Sequence, residues 1–591
     1  MPLLKTRAAA LALVAVFAAA PALANPEPDP PVFEPADSLE GNFLSAYIAN
    51  LARDTGAAAT YFREALKGDA RNPDLMERAF IAFLADGAMP EAFKLAEKLA
   101  ARDGNNGLAQ LALGVRAIKQ RQYANARTFL SKGARGSAAD LTATLLTAWS
   151  YAGSGEGKKA QETVDRLKSQ RSYAVFRDYH AGLLADLTGS AAEAERYLKS
   201  AYEAERNTLR IVDAYGRLES KKPSKEAAIA VFAGFDALLP RHPLVRDALD
   251  QLRAGKTLAP LVTSAQEGAA EVLYGLGAAG SGQGGEELAP IVYLRLALHL
   301  NPDHPLALIT LADIYGRLKR YDRAIEVYNR IPESSPVRPS ADIEIGQALE
   351  LMERGEDAVR HLEELAKERP DDVEAITALG NVLRARKRYG EAAETYTRAI
   401  DRIGTPDASH WTLFYYRGSS FERAKDWPRA EADLKKALEL VPDGLPTSKA
   451  HVLNYLGYSW VDMGQNIDQA FEMLKRAVEL APRDGMIIDS LGWAYYRLGR
   501  YEDAVRELEK AVEQKSGDPV VNDHLGDAYW KVGRRLEARF QWQHAKDSNP
   551  EPEDLAKILV KLEKGLEEDE TPAAAENRPA SDPAMAKRNG G

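Results

Sequence analysis

No cysteine occurs in the 591 residues, which excludes disulfides, thiolate metal sites, a cysteine nucleophile and a lipid-anchored cysteine. Side-chain packing has to hold the fold instead. Long apolar runs are also missing: Ala8 to Ala20 is an unbroken stretch of 13 residues, short of the roughly 20 that a spanning helix needs. No later segment is long and apolar enough to cross a membrane. Histidine is sparse, at nine, with no H-E-x-x-H pair. His299 and His304 flank the turn Asn301-Pro302 and read as turn neighbours, not metal ligands. A G-x-S-x-G nucleophile elbow and a G-K-S/T phosphate loop are absent too. Positive charge is not in excess: the formal net charge is -10, which argues against a general binder of nucleic acid or anionic membrane.

What is present begins with an address. Lys5 and Arg7 precede the apolar run, and Ala22-Leu23-Ala24 gives the A-x-A pattern of a secretory signal peptide over 1–24. Cleavage after Ala24 leaves Asn25 as the mature terminus, so the expected location is exported, periplasmic or peripherally held at the envelope. Residues 25–38, rich in proline and acids, read as a flexible linker.

The chain is then organised by a period of 34. Ala58, Ala92, Ala126, Ala160, Ala194 and Ala228 are spaced 34 apart, and a second series runs through Ala324, Ala358, Ala392, Ala430, Ala470, Ala504 and Ala538. Thirteen residues before the alanine stands a large residue followed by a small one, as in Leu113-Gly114, Ile345-Gly346, Leu379-Gly380, Leu491-Gly492 and Leu525-Gly526. A bulky residue follows at i+4, as in Tyr315, Tyr495 and Tyr529, on the same helical face. After the alanine, apolar residues at +4 and +7 mark a second amphipathic helix, and many units close with proline, as at Pro240, Pro370 and Pro482.

This pattern resembles the tetratricopeptide repeat family. It implies an all-α fold, an α-solenoid of helix-turn-helix repeats, in which first and second helices pack antiparallel. The strict step of 34 and the acidic charge count against the RNA-reading pentatricopeptide family. The expected organisation is a looser array of six repeats over 39–240, a helical discontinuity with a degenerate repeat over 241–303, and an array of seven repeats over 304–552. A capping helix over 553–566 and an aperiodic, disordered tail over 567–591 follow. Within the discontinuity, Val245 to Ala254 reads as a helix, Leu258 to Ser264 as a loop and Val272 to Ala297 as a degraded unit.

One decoy lies there. Gly275-Leu276-Gly277-Ala278-Ala279-Gly280 satisfies G-x-G-x-x-G by letter, but a dinucleotide site needs a strand before it, and here a helical segment precedes. The hexad reads as an inter-helix loop, and no cofactor is expected.

The family implies a protein-binding module, not an enzyme, with the first helix of each unit lining a concave groove. Carried onto this sequence, that geometry turns inward Thr377, Asn381, Arg384, Tyr415, Ser419, Asn454, Tyr458, Asp489, Trp493, Tyr496, Asp523, Asp527 and Trp530. Amides in this set suit the backbone of an extended peptide, and Tyr458, Trp493, Tyr496 and Trp530 are expected to offer flat apolar contact. The three aspartates point to a protein or peptide partner with basic residues. The lysine and asparagine clamp that some relatives use for a C-terminal carboxylate is not evident. An envelope adaptor is the expected role. The alternatives are an enzyme with a site in 241–303, where His242, Ser264 and Glu271 are candidates, or a self-associating structural spacer.

Overall fold

The 34-residue period folds as a pair of antiparallel helices because the small residue of the first helix sits under the bulky residue four places after the column alanine. A Cβ built on Gly492 falls 2.6 Å from Leu508 Cγ, on Gly380 2.7 Å from the Tyr396 ring and on Gly526 2.5 Å from Trp542. Gly114 over Leu130, Gly182 over Leu198, Gly216 over Phe232 and Gly346 over Leu362 repeat the arrangement. The column alanines are sealed at the same contact: Ala58 is 1% and Ala324 2% exposed, and Ala392, Ala504 and Ala538 are at 0%. Between the two helices, the residue five before the alanine takes a left-handed conformation, as at Gly499 (φ 75°) and Lys387 (φ 60°), which ends the first helix and reverses the chain. Aspartate caps start the next unit, and Asp372, Asp484 and Asp518 each accept from two backbone amides.

The computed structural model describes residues 35–133, 137–169, 171–282 and 287–566, so the signal peptide, most of the linker and the tail lie outside the described residues. The described residues hold thirty α-helices and no strand. None of these helices is long and apolar enough to cross a membrane. The chain is an α-solenoid of tetratricopeptide type. It divides into two compact units after Leu365, so the interruption read at 241–303 lies inside the first unit.

In the first unit the chain turns back on itself. The expected helix is present as Pro243–Arg253. The supposed degraded unit is a full helix pair, Ala265–Gly280 and Leu288–Leu300, with Pro290 where the column alanine would stand. These two helices pack against the first helices of repeats two to five: Pro73–Asp86, Gly107–Lys119, Ser137–Gly153 and Ala174–Leu187. The hexad Gly275 to Gly280 is therefore helical and not a loop. Its glycines, with Gly268, serve close approach: Gly268 lies under Trp149, Gly275 under Phe176 and Gly277 under Leu294.

Polar contacts, most of them across more than 180 residues, lock this return. Arg295 Nε donates to Ala85 O (3.2 Å) and its Nη2 to Tyr315 Oη (3.1 Å), while Lys119 Nζ donates to Leu300 O (2.9 Å). Arg323 pairs with Asp86. Repeats of a solenoid contact mainly their neighbours; the first unit departs from this, because its inner surface is filled by its own chain.

Glycines test the packing rule directly. Gly492→Ala is expected to cost about 1–3 kcal/mol through overpacking against Leu508, despite the better helix propensity of alanine. Gly316→Ala, where no atom lies within 4 Å of the added Cβ, is expected to be neutral or stabilising by up to about 1 kcal/mol. Urea denaturation of both variants measures the contrast.

Candidate functional site

The second unit carries the predicted groove residues on the helices Val373–Ala385, Trp411–Arg423, Pro446–Asp462, Gly485–Arg497 and Pro519–Lys531. Near its start the side chains are occupied locally. Thr377 Oγ1 donates to Val373 O (2.6 Å), Asn381 Oδ1 accepts from Tyr396 Oη (2.7 Å), and the Arg384 guanidinium lies 4.6 Å over the Tyr416 ring. Tyr415 packs among Trp411, Tyr416 and Tyr455. Ser419 is buried, and its hydroxyl donates to Tyr416 O (3.0 Å).

Towards the C-terminus the site becomes a charged cluster. Asp489 is 3% exposed and accepts from His524 Nδ1 at 3.0 Å. Burial works against a charged His524 ring, but the Asp489 carboxylate outweighs it and raises the pKa above the ordinary 6.5. Trp493 stacks on His524 at 4.1 Å and on Tyr496 at 4.7 Å. Lys561 Nζ, from the C-terminal helix Pro552–Lys564, reaches Asp523 Oδ2 and Asp527 Oδ2, both at 2.7 Å. Asp527 Oδ1 also accepts from Trp542 Nε1 (2.9 Å). Burial, against the pull of Lys561, raises Asp527 above the usual carboxylate range.

Two expectations change. The stacked aromatics do not present open faces, since Trp493 lies against two rings and Trp530 is covered by Arg535 at 3.8 Å. They are packing between repeats. The three aspartates that argued for a basic ligand are already engaged, by His524 and Lys561 of the same chain. His524 and Lys561 were outside the predicted set: His524 falls between two inward positions of its helix, and Lys561 lies beyond the last repeat.

These helices also hold polar atoms without partners. Arg384 Nε, Asn454 Oδ1, Trp493 Nε1 and Asp523 Oδ1 are buried and make no hydrogen bond within the protein. They alternate donor and acceptor over four helices. A cavity of about 380 Å³ adjoins the last two, lined by Tyr458, Trp493, Asp523, His524, Lys557 and Ile558.

The enzyme candidates in the first unit do not assemble a reactive site. Glu271 accepts from Tyr179 Oη (3.0 Å), His304 Nε2 (3.0 Å) and Arg210 Nε (3.2 Å). Burial would raise its pKa, but Arg210 and His304 outweigh it and hold the carboxyl well below the usual range. A carboxylate so saturated is a clamp and not a base. Ser264 caps the helix Ala265–Gly280 through Glu267 N, and His242 packs edge-on against Phe235.

Residues 343–556 and 291–342 match two family models, both described as tetratricopeptide repeat. A TPR repeat-containing protein of Pseudomonas aeruginosa is 26% identical over 194 residues, covering 31% of this chain and 30% of that protein. Anaphase-promoting complex subunit 3 of Schizosaccharomyces pombe is 23% identical over 207 residues, covering 34% of this chain and 29% of that protein. The chain thus spans under a third of the curated relatives' length. Among solved structures, the APC/C hetero-tetramer Cut9-Hcn1 aligns with TM-score 0.36 and 15% identity over 90% of this chain and 97% of that one. A repeat protein from Parabacteroides merdae aligns with TM-score 0.36 and 14% identity over 43% of this chain and 97% of that one.

The Asp489–His524 pair makes stability of the second unit depend on pH. Because the folded histidine pKa is raised, the pair's contribution is fully present below about pH 6.5 and is lost as pH rises through the elevated value. Asp489→Asn removes that slope. Hydrogen exchange across 485–531 between pH 6 and pH 9, compared for the two proteins with intrinsic rates corrected, measures it.

Proposed function

The chain belongs to the tetratricopeptide repeat family over residues 291–556, whose members in general mediate protein–protein interaction, and from that premise we propose that it is an exported adaptor of the bacterial cell envelope. Its second unit takes a protein segment along the inner faces of the first helices. The observation behind this reading is the row of unpaired polar atoms on Arg384, Asn454, Trp493 and Asp523. Each buried polar atom left without a partner costs about 1–3 kcal/mol, so a segment that completes the row recovers free energy no internal contact supplies. The inner surface of the first unit is filled by the helices Ala265–Gly280 and Leu288–Leu300, which leaves the second unit as the surface for a partner.

Two measurements test the proposal. Asn454→Leu combined with Trp493→Phe removes one acceptor and one donor while keeping an aromatic ring to stack on His524 and Tyr496. In a pull-down by the mature chain from the native envelope fraction, the variant is expected to retain its partners about tenfold more weakly; unchanged partners at unchanged yield rule out the groove. Sequencing of the purified envelope form is expected to begin at Asn25, and an intact Met1 in a cytoplasmic fraction contradicts export.

A further inference from the structure

The C-terminal helix Pro552–Lys564 does more than close the last repeat. Its cap residue Glu551 pairs with Lys387 at 3.4 Å, beyond the end of the helix Val373–Ala385. One turn inside, Asp554 and Lys557 border the cavity with Tyr458 and Trp493. Further along, Ile558 is 1% exposed, and Lys561 sits between Asp523 and Asp527 with its side chain 15% exposed. The helix packs on the second helix of the last repeat, Arg535–Asp547, and from there reaches Asp523 and Asp527 and borders the cavity.

The fit is incomplete. Ile558 is the only residue of this helix that is fully buried, whereas eight residues of Pro519–Lys531 are. Leu559 and Val560 are 46% and 53% exposed. The cavity of about 380 Å³ remains beside it, and Trp493 Nε1 and Asp523 Oδ1 stay unpaired at its wall. The surface thus offers more recognition than this helix uses.

We propose that this surface recognises an amphipathic helix of a partner protein carrying a lysine three residues after a branched apolar residue, and that the C-terminal helix is its intramolecular stand-in. The chemistry is set by what is already seated: two aspartates take one ammonium, and a pocket beside them takes an isoleucine. A partner helix of the same kind with a larger apolar residue fills the cavity. Charge selects it, because Asp523 and Asp527 need a cation and the tethered Lys561 supplies it in the partner's absence. Tethering gives the resident helix a high effective concentration, so the partner gains access when Lys561 is disengaged. This inference rests on the reading of the second unit as a protein-binding groove.

The probe is a labelled peptide of residues 551–566 added to the full chain. Binding to the unaltered chain is expected to be at least about tenfold weaker than to the full chain carrying Ile558→Asp and Lys561→Glu, in which the resident helix is released. Adding Asp523→Asn and Asp527→Asn to the released chain, or Lys561→Ala to the peptide, is expected to abolish the gain. Circular dichroism and hydrogen exchange confined to 551–566 establish that the released chain is folded; if it is not, Lys561→Ala alone in the full chain serves in its place. Equal binding by all chains, or binding indifferent to the aspartates and the lysine, overturns the inference. Loss of envelope partners in the groove variant together with no peptide binding leaves the adaptor reading standing and removes this one.

Discussion

Everything in this fold depends on how closely the first helix of each repeat approaches the second. At Gly492, Gly380 and Gly526 a single methylene would fall 2.5–2.7 Å from Leu508, Tyr396 or Trp542, a distance that packed interiors do not tolerate. The spacing of 16 residues between glycine and bulky partner fixes the register of the two helices, and the sealed alanine column fixes their depth. Repetition sets the first helices of successive repeats side by side, and their shared face is the surface on which other segments pack.

Two parts of the chain occupy it differently. In the first unit, the helix Ala265–Gly280 enters on glycines, with Gly268 and Gly275 seven residues apart under Trp149 and Phe176, and Glu271 is clamped by Tyr179, Arg210 and His304. Buried charge held by several partners is costly to pull apart, since breaking such a set leaves an uncompensated ion. That groove is part of the core. In the second unit the resident helix buries one isoleucine and one lysine, and polar atoms beside it remain unpaired. The contrast separates a structural insertion from a surface suited to exchange.

The repeat was legible in the sequence because its contacts are local: a glycine and its partner lie 16 residues apart, and most of the column alanines follow one another at 34. The thirteen inward positions also fell on the first helices as the family geometry implies. What they do was less legible. Trp493 and Trp530 are covered by neighbours from other helices and from residue Arg535, and no periodic rule marks which aromatic is covered. The return of the helices Ala265–Gly280 and Leu288–Leu300 onto the first helices of repeats two to five left no trace, because contacts such as Arg295 with Ala85 join positions over 200 apart. Pro290 at the column position hid the helix pair, and glycines chosen for close helix packing imitated a loop. Lys561 escaped notice because it neutralises Asp523 and Asp527 from beyond the array.

The central claim is that partners enter the inner face of the second unit. A photo-crosslinking residue placed at Tyr458, which borders the cavity, and one at Glu394, exposed on the second helix Tyr389–Ile400, report on the two surfaces in living cells. The account predicts that a discrete partner protein is captured from position 458 and not from position 394. Capture from position 394 with none from position 458 contradicts it.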